Sequence, residues 1–166
     1  MQIVPERDVG ELLDRLVEDE LPGGGGMGAW DSFLRAHATL MRRLDTDLER
    51  ETGLPLADFD VLAQLAAGHG ELRMTELADR ALISRSGMSR RVARLVHEGL
   101  VRRAKADTDG RGIVVAITDT GIARLAETAP VHMRAVSNLF AERLDDQELA
   151  LLERALNKVI VDCSFG

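Results

Sequence analysis

The chain has 166 residues, 45% hydrophobic, 30% charged and 3% aromatic, with a formal net charge of -7. That length suits one domain with extensions, and the composition excludes a disordered polar chain and a membrane-embedded one. No apolar run approaches the ~18 residues of a membrane span, the acidic N-terminus lacks the pattern of a signal peptide, and the single cysteine, Cys163, excludes a disulfide framework or a cysteine-cluster metal site, so a cytoplasmic protein is expected.

In chain order, "DVGELLDRLVEDEL" opens with Asp8 and Glu11, a capping-box pair, and Val9, Leu12, Leu13, Leu16 and Val17 share one face, which predicts a short amphipathic helix. "PGGGG", Pro22 to Gly26, reads as a flexible linker, since a phosphate loop needs a following lysine. From about Ala29 to Glu51, residues Trp30, Phe33, Leu34, His37, Leu40, Met41, Leu44 and Leu48 form an apolar stripe at helical spacing, ended by Gly53. Three short helices follow. The first, about Leu56 to Ala67, buries Phe59, Leu62 and Leu65; the second starts with Thr75 as its cap; the third is capped by Ser84 and lasts to about Glu98.

Charge is uneven along the chain. Between Ser84 and Gly112 eight basic residues face three acidic ones, a net of +5, which leaves -12 for the remainder. A basic island in an acidic protein attracts polyanions, whereas an isolated charge run is as often a solvated face. Helical geometry separates these readings. At 100 degrees per residue Met88, Val92, Leu95 and Val96 gather on one side, and Ser86, Arg90, Arg94 and His97 on the other, with Ser89 at their margin and Arg91 on the flank. One side locks onto the preceding helices and the other cannot be buried cheaply. Gly87 either admits DNA or admits a neighbouring helix.

After Gly99, "LVRRAKA" and "GIVVAIT" read as strands joined by "DTDGRG", a β-hairpin with Arg111 at its tip. Helix-turn-helix followed by a basic-tipped hairpin is a winged helix, suited to the major groove with an arginine for the minor groove. A further helix from Thr118 to about Leu144, interrupted or kinked at Pro130, and a last one capped by Asp145 and Glu148 carry apolar stripes that suggest self-association. A C2 dimer would meet a pseudo-palindrome with half-sites ~34 Å apart. The expected fold is mainly α with a small β wing: residues 1–27 form the N-terminal helix and linker, 28–53 a dimerisation helix, 54–120 the winged helix-turn-helix, and 121–166 the C-terminal dimerisation helices.

The motifs "GLPLADFDVLAQLA", "RMTELADRALISRSGMSRRVARLVHEGLVRR", "DTDGR" and "VAITDTG", in this order and spacing, resemble the MarR family of transcriptional regulators over about Ala29 to Val161. The resemblance implies a homodimer that binds double-stranded DNA, usually as a ligand-responsive repressor. It places Ser84, Arg85, Ser86, Ser89, Arg90 and Arg94 on the DNA-facing helix, Arg111 at the wing tip, and Asp109 as its orienting partner. It also implies a small anionic or aromatic effector between dimer helices and DNA lobe. Asp60, Arg91 and Arg102 align with the aspartate and two arginines of the urate-responsive branch, while that branch's tryptophan is missing from the extra helix and Trp30 begins the next one. An Asp60–Arg102 ion pair is the structural alternative. His37 either lines that cleft or is a hydrogen-bonded core histidine.

His69, His97 and His132 lack metal-ligand spacing, so no metal and no cofactor are expected. No G-x-S-x-G, H-E-x-x-H or Walker pattern occurs, which argues against an enzyme. The other function class is a protein-interaction adaptor that kept the scaffold and lost DNA binding, but it predicts a neutralised recognition face, and Arg90, Arg94 and Arg111 remain.

Overall fold

The computed structural model describes residues 15–17, 26–105 and 112–163. The chain divides into two units, residues 1–42 and 43–166. In the first unit residues 15–17 are helical, and α1, Met27–Thr52, begins. Along it the rings of Trp30 and Phe33 stack at 6.1 Å and those of Phe33 and His37 at 6.3 Å, all three exposed.

The second unit holds the end of α1, then α2 (Leu56–Ala67), β1 (Glu71–Arg73), α3 (Met74–Arg80), α4 (Arg85–His97), β2 (Val101–Lys105), β3 (Ile113–Ile117), α5 (Asp119–Leu139), a 3-10 turn (Ala141–Arg143) and α6 (Asp146–Cys163). Gly53, at φ 70°, ends α1 in the left-handed conformation glycine adopts without strain. Pro55 then opens α2 without a side-chain cap of its own. Asp45 of α1 supplies one: its Oδ1 accepts from Leu56 N at 2.8 Å, tying the two helices together.

The core lies between α2, α3, α4 and the sheet. Val61, Leu62 and Leu65 of α2, Leu77 of α3, Met88, Val92 and Leu95 of α4, and Val115 of β3 are completely buried. Val96, expected on the buried side of α4, is partly exposed because it lies at the edge of the stripe.

The sheet has three antiparallel strands in the order β1-β3-β2, with Leu72 opposite Val115 and Arg103 opposite Val115 from the other side. The expected two-stranded wing was one strand short. β1 is three residues long, too brief for alternation to announce it, and forms because β3 offers an edge. Thr75 is not a cap, since α3 begins one residue earlier with Arg73 at the cap position. Nor is α5 interrupted at Pro130, which stands inside a continuous helix whose last residue is Leu139. The expected capping residues Ser84 and Asp145 do act as such: Ser84 Oγ accepts from Gly87 N at 3.1 Å, and Asp145 accepts from Glu148 N while Glu148 accepts from Asp145 N, at 2.8 and 2.9 Å.

One junction holds the wing to the helices. Thr118 Oγ1 shares its one proton between Gly99 O at 2.7 Å and Leu100 O at 3.0 Å, while accepting from Gly121 N at 3.0 Å. A Cβ on Gly121 would stand 2.1 Å from Leu100 O, so glycine is required for this approach. The Thr-x-x-Gly of "ITDTG" is thus a docking device for the start of α5.

Candidate nucleic-acid interface

The buried stripe of Met88, Val92 and Leu95 fixes which way α4 faces. Ser86, Ser89 and Arg90 consequently point to solvent, with Arg85 and the capping Ser84 exposed at the same helix start. Neither Arg85 nor Arg90 enters an ion pair among the described residues. Gly87, Arg90, Arg91 and Arg94 line a shallow depression on this helix. At Gly87 nothing but Ser84 Oγ approaches the position of a Cβ, so no neighbouring helix accounts for the glycine.

The arginines are not equivalent. Arg91 Nη1 donates to Asp58 Oδ1 at 2.8 Å, and Arg94 Nη2 donates to Asp58 Oδ2, the two guanidiniums closing on one carboxylate of α2 that is 1% exposed. The hydrogen bond to Asp58 raises the Arg94 pKa above its ordinary value, against the opposing effect of desolvation. Arg94 therefore has an intramolecular partner that its place on the outer face did not reveal. Arg103 of β2 donates to Ser89 O at 2.8 Å, linking wing and helix.

Asp58 was missed as a functional residue, although a signal for it existed. It stands three, four and seven residues before Val61, Leu62 and Leu65, on the buried stripe of α2, and an acid there requires a partner.

Asp60 is half-buried and its charge is felt by His132. No ion pair joins it to Arg102, and Arg91 goes to Asp58, so the expected Asp60–Arg102 pair is not formed. The reason is placement: Asp60 is off the stripe that faces α4, and Arg102 is exposed on β2. His37 is exposed rather than a core histidine, while Trp30 stacks on the same exposed row. His132 packs its ring on Phe59 at 4.6 Å, and its Nδ1 is buried without a hydrogen-bond partner. Among the described residues no group of three metal-ligating side chains occurs, and no helix is long and apolar enough to cross a membrane.

A MarR family model matches residues 52–112, which span α2 to the wing. Sco3205, a MarR family transcriptional regulator from Streptomyces coelicolor solved in complex with DNA, is 37% identical over 81% of this chain and 88% of its own, with a TM-score of 0.76. The chain belongs to the MarR family. AbsC, another MarR family regulator of Streptomyces coelicolor, is 28% identical with a TM-score of 0.79, over 84% of this chain and 95% of its own. A Bacillus cereus HTH-type transcriptional regulator is 28% identical over 117 residues, 70% of this chain and 77% of its own.

As a MarR-family member the protein is a DNA-binding transcriptional regulator and not an enzyme. The expected DNA-facing residues from Ser84 to Arg94 lie on α4 and at its cap. The expected wing-tip pair, Asp109 and Arg111, lies outside the described residues, as do most of the N-terminal helix and the linker.

Proposed function

We propose that the protein is a homodimeric repressor that binds a pseudo-palindromic operator and releases it on binding a small effector. The observation that carries this reading is the outward row Ser84, Arg85, Ser86, Ser89 and Arg90 on a helix whose opposite side is completely buried. A rigidly seated helix with free guanidiniums at its exposed start is what major-groove reading requires. Asp109 and Arg111 of the wing add the minor-groove contact in this proposal.

Dimerisation is supported by the apolar surface the chain leaves exposed. None of the described α6 side chains is buried, and Leu151, Val159, Ile160 and Val161 are each more than half exposed, as are Ile122 and Met133 of α5. An amphipathic helix without a buried residue needs a partner. Residues 28–53 and 121–166 are assigned to that interface. A small anionic or aromatic effector belongs to this proposal; it would act by binding the DNA-incompetent arrangement more tightly.

The test is footprinting of the DNA upstream of the coding region, with and without a panel of anionic aromatic compounds, on protein whose mass in solution is measured. A dimer protecting two half-sites ~34 Å apart, with protection lost on adding one compound, supports the proposal. A monomer, or protection without symmetry, rejects it.

A further inference from the structure

Asp58 provides an inference about specificity that rests on the DNA-binding reading. It is the one carboxylate among the described residues that is almost wholly buried, and both its oxygens are taken by α4: Oδ1 by Arg91 at 2.8 Å and Oδ2 by Arg94. Arg91 and Arg94 are three positions apart, so their attachment fixes the roll of α4 about its axis against α2. The apolar stripe alone tolerates small rotations, because dispersion contacts are non-directional, whereas two guanidinium bonds to one carboxylate do not.

We propose that Asp58 is a specificity-determining positioning residue: it withholds Arg94 from the DNA backbone, fixes the roll of the recognition helix and, of the two arginines one turn apart on its outer face, leaves Arg90 to read bases. Drawing Arg94 toward a phosphate would leave the buried carboxylate with one partner instead of two, and a buried anion is costly to leave short of partners. Arg91 is already committed, with its Nε buried and without a partner of its own. Holding back a cation also lowers affinity for any duplex, since phosphate contacts are indifferent to sequence. The carboxylate therefore widens the gap between a cognate and a random site. Arg90, exposed and unpaired, is the side chain whose guanidinium is free for a bidentate contact to guanine.

The experiment compares wild type, Asp58→Asn, Arg94→Gln and Arg90→Gln on two duplexes over a range of salt: one selected from a random library on the wild-type protein, and a composition-matched scramble. In Asp58→Asn the scramble should bind more tightly, with a salt slope steeper by about one phosphate contact, and the ratio of the two affinities should fall about tenfold. Arg94→Gln should leave the salt slope on the selected duplex unchanged, whereas Arg90→Gln should abolish discrimination. Wild-type discrimination with an unaltered ratio and slope in Asp58→Asn overturns the role of Asp58 and leaves the DNA reading standing. If circular dichroism shows Asp58→Asn to be unfolded, Arg94→Gln decides: a slope reduced by ~0.9 places Arg94 on a phosphate and overturns the proposal. A wild-type protein that does not discriminate between the duplexes overturns the DNA reading and this assignment with it.

Discussion

Replacing Gly121 with alanine drives a methyl group into the backbone at the junction of wing and α5. The new Cβ would lie 2.1 Å from Leu100 O and 2.8 Å from Ile117 Cγ1, and the first of these is a main-chain atom that cannot rotate away. Restoring an ordinary contact of about 3.5 Å requires a separation of about 1.4 Å more. That shift lengthens the bond from Thr118 N to Leu100 O (3.1 Å) and the bond in which the one Thr118 hydroxyl proton is shared between Gly99 O (2.7 Å) and Leu100 O (3.0 Å). At about 1 kcal/mol for each donated proton the loss is about 2 kcal/mol, and alanine's helix preference returns about 1 kcal/mol. The expected net destabilisation is about 1 kcal/mol, a Tm lower by roughly 2 to 4 °C for a chain of this size. Thermal and urea unfolding followed by circular dichroism, at one fixed protein concentration, measures it. Gly87→Ala is the internal control. Its Cβ meets only the Ser84 hydroxyl, at 3.1 Å, which has to give by a few tenths of an ångström, so stability should stay within about 1 kcal/mol of wild type. A Gly121→Ala protein as stable as wild type would refute the steric reasoning; loss of DNA affinity in a stable Gly87→Ala would show that the space at Gly87 is kept for DNA.

Leu82, in the turn between α3 and α4, has φ 54° and is 92% exposed, so Leu82→Gly should raise stability by about 0.5 to 1 kcal/mol in urea titrations; a loss would mean that the turn is not strained. Asp45→Ala removes the cap that α1 lends to α2 and should cost about 1 kcal/mol, whereas Asp45→Asn retains an acceptor and should cost little; equal losses would point away from capping. Burial lowers the pKa of His132, with Asp60 pulling it up. A depressed histidine stabilises the fold least at low pH, because the unfolded chain takes up the proton first; the loss begins below the unfolded value near ~6.5 and ends once the folded value is passed. His132→Phe should therefore lose less stability than wild type as the pH falls from about 7.5 to about 5.5, and parallel curves for the two proteins would reject this reading.

The periodic parts of the chain announced themselves. Leu56–Ala67 and the helix capped by Ser84 stand where their apolar spacing and caps placed them, and the Asp145–Glu148 capping box forms as expected. These features depend on residues within one or two helical turns of each other. Non-local devices escaped the same reasoning. β1 exists because β3 has an edge to pair with, α2 is capped by a residue eleven positions upstream, and α5 runs through Pro130 as one helix. The candidate site divides in the same way. The outward direction of Arg90 follows from the helical period, but the commitment of Arg91 and Arg94 to Asp58 spans 33 and 36 positions.

Local order therefore decided which residues of α4 face outward, because a helix sets its faces by its own period and burial follows the apolar one. Which outward arginines are free to meet another molecule was decided only when α2 was packed beside α4, because an ion pair depends on distance in space and adjacent residue numbers say nothing about it.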